Sequence, residues 1–207
     1  MEMFRPTRGG GVSCWMSANE AQLLRTLVGP VMELLSDPSK PGGVASDATS
    51  ATGATGGGAT GDEAAVFEEL ERMFEDSAPD APEKEKPADP VLARLLPDAY
   101  HDDPEAAGEF RKYTESSLRE AKKYFAQVML DTLPEKGGRI RLTGDQARDW
   151  MRAMNDVRLM FGVRLDISED FEGQLASLDP SDPAVPAFEV YGWLGAVQES
   201  LVQALAR

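Results

Sequence analysis

A chain of 207 residues with 42% apolar side chains is long enough for one domain with a buried core, and its net charge of −15, from 36 acids against 21 bases, makes it a poor non-specific nucleic-acid binder, because phosphates need neutralising bases. A single cysteine, Cys14, excludes an intramolecular disulfide and suits a reducing compartment. With no apolar stretch behind a basic start and no run of the roughly 18–20 apolar residues that a span requires, the expectation is a cytoplasmic protein without membrane contact.

In chain order, Val12, Cys14 and Met16 alternate with Ser13, Trp15 and Ser17, the period of a half-buried strand. Ser17 followed by Glu20 fits a capping box, and Leu23, Leu24, Leu27, Val28, Val31, Leu34 and Leu35 then make one apolar helix face, with Gly29-Pro30 inside it. Residues 1–35 therefore read as a strand and helix of the core. Residues 36–61 are built mostly from Gly, Ala, Thr, Ser and Asp, too poor in apolar surface to offset their ordering entropy, and are expected to be a disordered insert. Residues 62–88 hold an acidic amphipathic helix, EAAVFEELERMFED, followed by a Pro-containing linker. Phe67, Leu70 and Phe74 line its apolar stripe, which either docks on the core or binds a partner.

Residues 89–207 form the main helical part. Asp89-Pro90 and Asp103-Pro104 each look like a cap followed by proline in a first helical turn; the first helix ends before Pro97 and the second runs to about Thr132. On the second helix Phe110, Thr114, Ser117, Leu118, Ala121, Phe125, Val128 and Met129 are expected to face inward. Gly137-Gly138 turns the chain into a second strand, in which Ile140 and Leu142 alternate with Arg139 and Arg141. Thr143 and Gln146 form a second capping box. Trp150, Met154, Val157 and Phe161 mark the next helix face, and Gly162 stands where a left-handed C-terminal cap belongs. Val163, Leu165 and Ile167 suggest a short third strand, 170–186 a loop, and 187–207 a closing helix. The two strand–cap–helix units match in plan, and their strands are expected to pair by their edges. The fold class is mainly α: a single helical domain with a small β-ribbon of two or three short strands and a disordered insert.

No catalytic, cofactor-binding or metal-binding constellation stands out. GxxxxGK[ST], GxGxxG after a strand, and HExxH are all missing. His101 beside Asp102 and Asp103 reads as a solvated cluster, and Gly56-Gly57-Gly58 lies in low-complexity sequence. An enzyme is not expected. The bases are more informative, because residues 139–164, with six arginines against three aspartates, are the only net-basic segment. Arg148, Arg152 and Asn155 share a helix face, while Arg139 and Arg141 lie on the outward strand face. Asp149 and Asp156 can pair with Arg152. The arginines are either a salt-bridged solvent face or a docking patch for an acidic protein surface; DNA is the less favoured partner.

The runs DPVLARLLPDAY (89–100), GGRIRLTGDQARDWMRAMNDVRLMFGVRLDI (137–167) and VYGWLGAVQESLV (190–202) resemble the actinobacterial AosR family, long catalogued as a domain of unknown function. That resemblance implies a transcriptional regulator of the oxidative-stress response that works with a sigma factor and RNA polymerase. An adaptor outside transcription is the alternative. Cys14 is the one candidate redox residue, and a sensor built on it needs a sulfenate, a mixed disulfide or an intermolecular bridge.

Overall fold

The computed structural model describes residues 2–36, 87, 89–100 and 102–206; the expected helix carrying Phe67, Leu70 and Phe74, and His101, lie outside them. The described elements are β1 (Glu2–Pro6), β2 (Val12–Met16), α1 (Ala18–Leu35), α2 (Pro90–Leu95), α3 (Pro104–Thr132), β3 (Gly138–Leu142), α4 (Gly144–Arg164), α5 (Phe171–Ser177) and α6 (Val185–Leu205). The fold is mainly helical with one small antiparallel sheet, ordered β1-β2-β3. Among the described residues no helix is long and apolar enough to cross a membrane.

The two capped strands do pair. Val12 faces Leu142, Cys14 faces Ile140 and Met16 faces Gly138. Both capping boxes form: Ser17 Oγ accepts from the Glu20 N–H at 3.2 Å while Glu20 Oε2 accepts from the Ser17 N–H at 2.8 Å, and Thr143 and Gln146 exchange the same bonds at 3.2 and 3.0 Å. Each strand thus turns into its helix through one reciprocal motif. The buried positions repeat as well: Ala21, Leu24, Val28 and Val31 of α1 stand where Ala147, Trp150, Met154 and Val157 of α4 stand. Because Cys14 and Ile140 are both partners across the ladder and equivalents in the two units, a local two-fold axis passes between them. Gly11 and Gly137 are also equivalent. A Cβ on Gly11 would meet the Leu142 carbonyl oxygen at 2.5 Å, and one on Gly137 would meet the Met16 carbonyl oxygen at 2.9 Å.

The expected third strand at 163–167 does not form. Helix α4 continues through Gly162 to Arg164, and the left-handed residue is Asp166, at φ 48°. The Ile167 N–H donates to the Gly162 carbonyl and the Asp166 N–H to the Val163 carbonyl, the paired bonds of a Schellman ending with aspartate in glycine's usual place. The third strand is instead β1, tied down by Phe4: its side chain is buried and meets Trp150 edge-on at 5.9 Å, and its N–H donates to Ser200 Oγ at 3.4 Å. The expected loop at 170–186 contains the short helix α5, capped by Asp170, whose carboxylate accepts from the Gly173 N–H at 2.9 Å.

The described residues divide into two units: 2–36, 87, 89–98 and 117–206 in one, 99–100 and 102–116 in the other. In the described part of the second, Asp103 caps the start of α3 by accepting from the Ala106 N–H at 3.0 Å, and Tyr100 lies edge-on to Phe110 at 6.0 Å. In the first, α1 and α3 cap each other's C-terminal ends. Arg25 of α1 donates to the Leu130 and Leu133 carbonyls, and Arg119 of α3 donates to the Leu34 and Leu35 carbonyls. Neither helix has a basic residue in its own last turn, so each supplies the other's C-terminal cation. This is why the expected inward face of α3 is rotated: Arg119 is buried, while Leu118 and Phe110 are exposed.

Candidate partner-binding surface

Helices α4 and α6 pack against the sheet, and Val12, Cys14, Met16, Ile140 and Leu142 are buried on its inner face. The alternation of a pleated strand sends the intervening residues outward. Arg5, Ser13 and Arg141 stand in one row across the three strands, and Trp15 stands beside Arg139 in the next. Trp15 is 46% exposed and Met3 50%. Arg5, Arg139 and Arg141 are exposed and make no ion pair among the described residues. An indole beside three guanidinium groups that are unpaired among the described residues forms a surface of the composition that protein interfaces favour.

The arginines of α4 are placed differently. Arg148 donates to Asp145 at 2.6 Å, a pair at the surface, where its net value is small, and Arg152 donates to the buried Asp149 at 3.1 Å. The Arg152 guanidinium also lies 4.8 Å over the Phe125 ring. Asp156, expected beside Arg152, is instead bonded to Lys122 of α3 at 2.6 Å. Asn155 is exposed. The basic stretch of sequence therefore becomes an unpaired sheet cluster and a separate, acid-paired helix cluster. Arg5 and Trp15 were not singled out by spacing; the available signal was a large aromatic on the polar side of an alternating strand.

Cys14 lies on the inner face, 5% exposed, and burial, then the Glu20 carboxylate, pushes its thiol from 9.0 up to about 12. Thiolate is the reactive form, so at neutral pH its population falls about a thousandfold relative to an unperturbed thiol. Alkylation of the native protein by iodoacetamide is expected to run at least about tenfold slower than in denaturant, because the higher nucleophilicity of a more basic thiolate offsets only part of its lower population. Equal rates in the two states would show that Cys14 is not held in the sheet. Among the described residues no group of three or more His, Cys, Asp or Glu side chains is placed to hold a metal ion.

The family described as "Domain of unknown function (DUF2017)" matches residues 1–205. Proteins named "Oxidative stress regulator AosR" in Mycobacterium bovis and Mycobacterium tuberculosis are 32% identical over 203 residues, covering 92% of this chain and 80% of theirs. A "Putative oxidative stress regulator AosR" of Mycobacterium leprae is 39% identical over 141 residues, covering 58% of this chain and 60% of its own. No solved structure matches.

Proposed function

This chain belongs to the DUF2017 family, and we propose that it is a non-enzymatic regulator of the oxidative-stress response that acts by binding a sigma factor or RNA polymerase. The names of relatives aligned over nearly the whole chain support the regulatory role. The observation that supports action through a protein partner is the outer face of the sheet, where the exposed Trp15 stands with Arg5, Arg139 and Arg141 and no element among the described residues covers it. On a chain of net charge −15 this cluster offers a local basic site to an acidic protein surface, with the indole as its apolar anchor.

The test is co-purification of the full chain with purified RNA polymerase and sigma factors, with and without peroxide. Trp15→Ala is expected to weaken capture by about 30-fold, the range of an aromatic interface anchor. Arg139→Glu with Arg141→Glu is expected to abolish it at low salt, while Arg148→Glu has little effect. Recovery of no sigma factor or polymerase subunit in either condition would overturn the reading.

A further inference from the structure

We propose that the outer edge of β3 takes up an acidic, extended segment of a protein partner as a fourth, antiparallel strand. The proposal rests on the partner reading above and deepens it by naming how the partner is held. β3 stands at one end of the sheet, with β2 on one side and no strand among the described residues on the other. The Thr7 N–H donates to the Gly11 carbonyl at 2.8 Å, which sets the phase of the ladder. Gly11, Ser13 and Trp15 direct their backbone groups to β1, so Val12, Cys14 and Met16 direct theirs to β3 and engage Gly138, Ile140 and Leu142. The N–H and C=O groups of Arg139 and Arg141 point the other way, out of the sheet, and no backbone group among the described residues bonds them there.

The opposite edge is closed. On β1 the Phe4 N–H donates to Ser200 of α6, and Pro6 has no N–H to offer. The local two-fold axis between Cys14 and Ile140 gives this difference its meaning. It carries β2 onto β3, and so carries β1 onto the outer edge of β3, the place left without a strand among the described residues. In that place the residues opposite Arg139 and Arg141 have their side chains on the outer face, as Arg5 does opposite Ser13. Opposite charges are favoured across a ladder and like charges are not, so both positions suit aspartate or glutamate. A second copy of β3 would set arginine against arginine. The residue between the two acids lies on the inner side, next to the buried Ile140, and suits an apolar side chain.

Two short peptides of alternating glutamate and valine, blocked at both ends, test this on the full-length protein by two-dimensional amide NMR titration. One is N-methylated at its glutamates, whose N–H groups would bond the Arg139 and Arg141 carbonyls. The other is N-methylated at its valines, whose N–H groups would point away; charge is the same in both. The valine-methylated peptide is expected to shift the β3 amides saturably and to slow solvent exchange at the Arg139 and Arg141 N–H groups. The glutamate-methylated peptide is expected to bind at least about tenfold more weakly, the cost of its lost hydrogen bonds. Equal affinities would mean that charge alone holds the peptide. Shifts centred elsewhere, or no saturable shift, would mean that the edge does not accept a strand. Each of these outcomes overturns the proposal. The peptides need no polymerase, and capture of polymerase or sigma factor does not depend on strand pairing, so the two readings fail separately.

Discussion

Gly137→Ala is expected to destabilise the fold by roughly 3 kcal/mol, the sum of left-handed backbone strain and overpacking against main chain. Gly137 has φ +74°, where a side chain is strained. A Cβ there would also lie 2.5 Å from the Ala18 nitrogen, 2.7 Å from the Ser17 carbonyl carbon and 2.9 Å from the Met16 oxygen. None of these atoms can move without disturbing the β2–α1 junction and its capping box. Gly138 separates the two terms: its φ is +137°, but a Cβ there meets nothing within 4 Å. Gly138→Ala should therefore cost only the strain, about 1 kcal/mol. Gly11, whose Cβ would meet the Leu142 oxygen at 2.5 Å, should show mainly the steric term, about 1–3 kcal/mol. Urea unfolding followed by tryptophan fluorescence measures all three. Gly137→Ala no worse than Gly138→Ala would show that the two strand–helix units do not meet as closely as described.

This junction also shows what a sequence makes legible. Both strand–cap–helix units could be read because each signal is local: alternation, a hydroxyl followed three residues later by Glu or Gln, then an apolar helical face. Their common plan suggested the pairing, and the register confirms it. What stayed hidden depends on distant groups. The stretch EMFRP carries little strand pattern; its standing as β1 comes from pairing with β2 and from Phe4 meeting Trp150 and Ser200. The face of α3 was misjudged because Arg119 is buried to reach the carbonyl end of α1, which no spacing rule within α3 reveals. At 163–167 alternation lost to helix propagation, since Gly162 costs α4 too little to stop it and Asp166 can take the left-handed position. In the candidate surface, the outward placement of Arg139 and Arg141 followed from alternation. The neutralisation of Arg148 and Arg152 by acids three residues earlier was a weaker signal of the same local kind. Trp15 and Arg5 gained meaning only once three strands lay side by side.

Lys122→Met is expected to cost about 3 kcal/mol near neutral pH, because it leaves the Asp156 carboxylate buried and without its cation. Burial already holds Asp156 above the ordinary carboxylate range, although the bond to Lys122 and its charge both pull the other way. Removing Lys122 takes away both opposing effects, so the native carboxyl rises further. A native acid with a raised pKa binds its proton more tightly than the unfolded chain does. Its contribution to stability therefore falls as pH rises from the ordinary aspartate value through the native one. The penalty in the variant should thus be small in acid, where Asp156 is protonated in both states, and should grow as pH passes through the raised native value. Replacing both partners, Lys122→Met with Asp156→Leu, removes the stranded charge and should return stability to within about 1 kcal/mol of the parent at every pH. Urea titrations at several pH values distinguish this from simple loss of packing. A deficit independent of pH, or a double variant no better than Lys122→Met, would mean that Lys122 acts through its aliphatic stem and not through its charge.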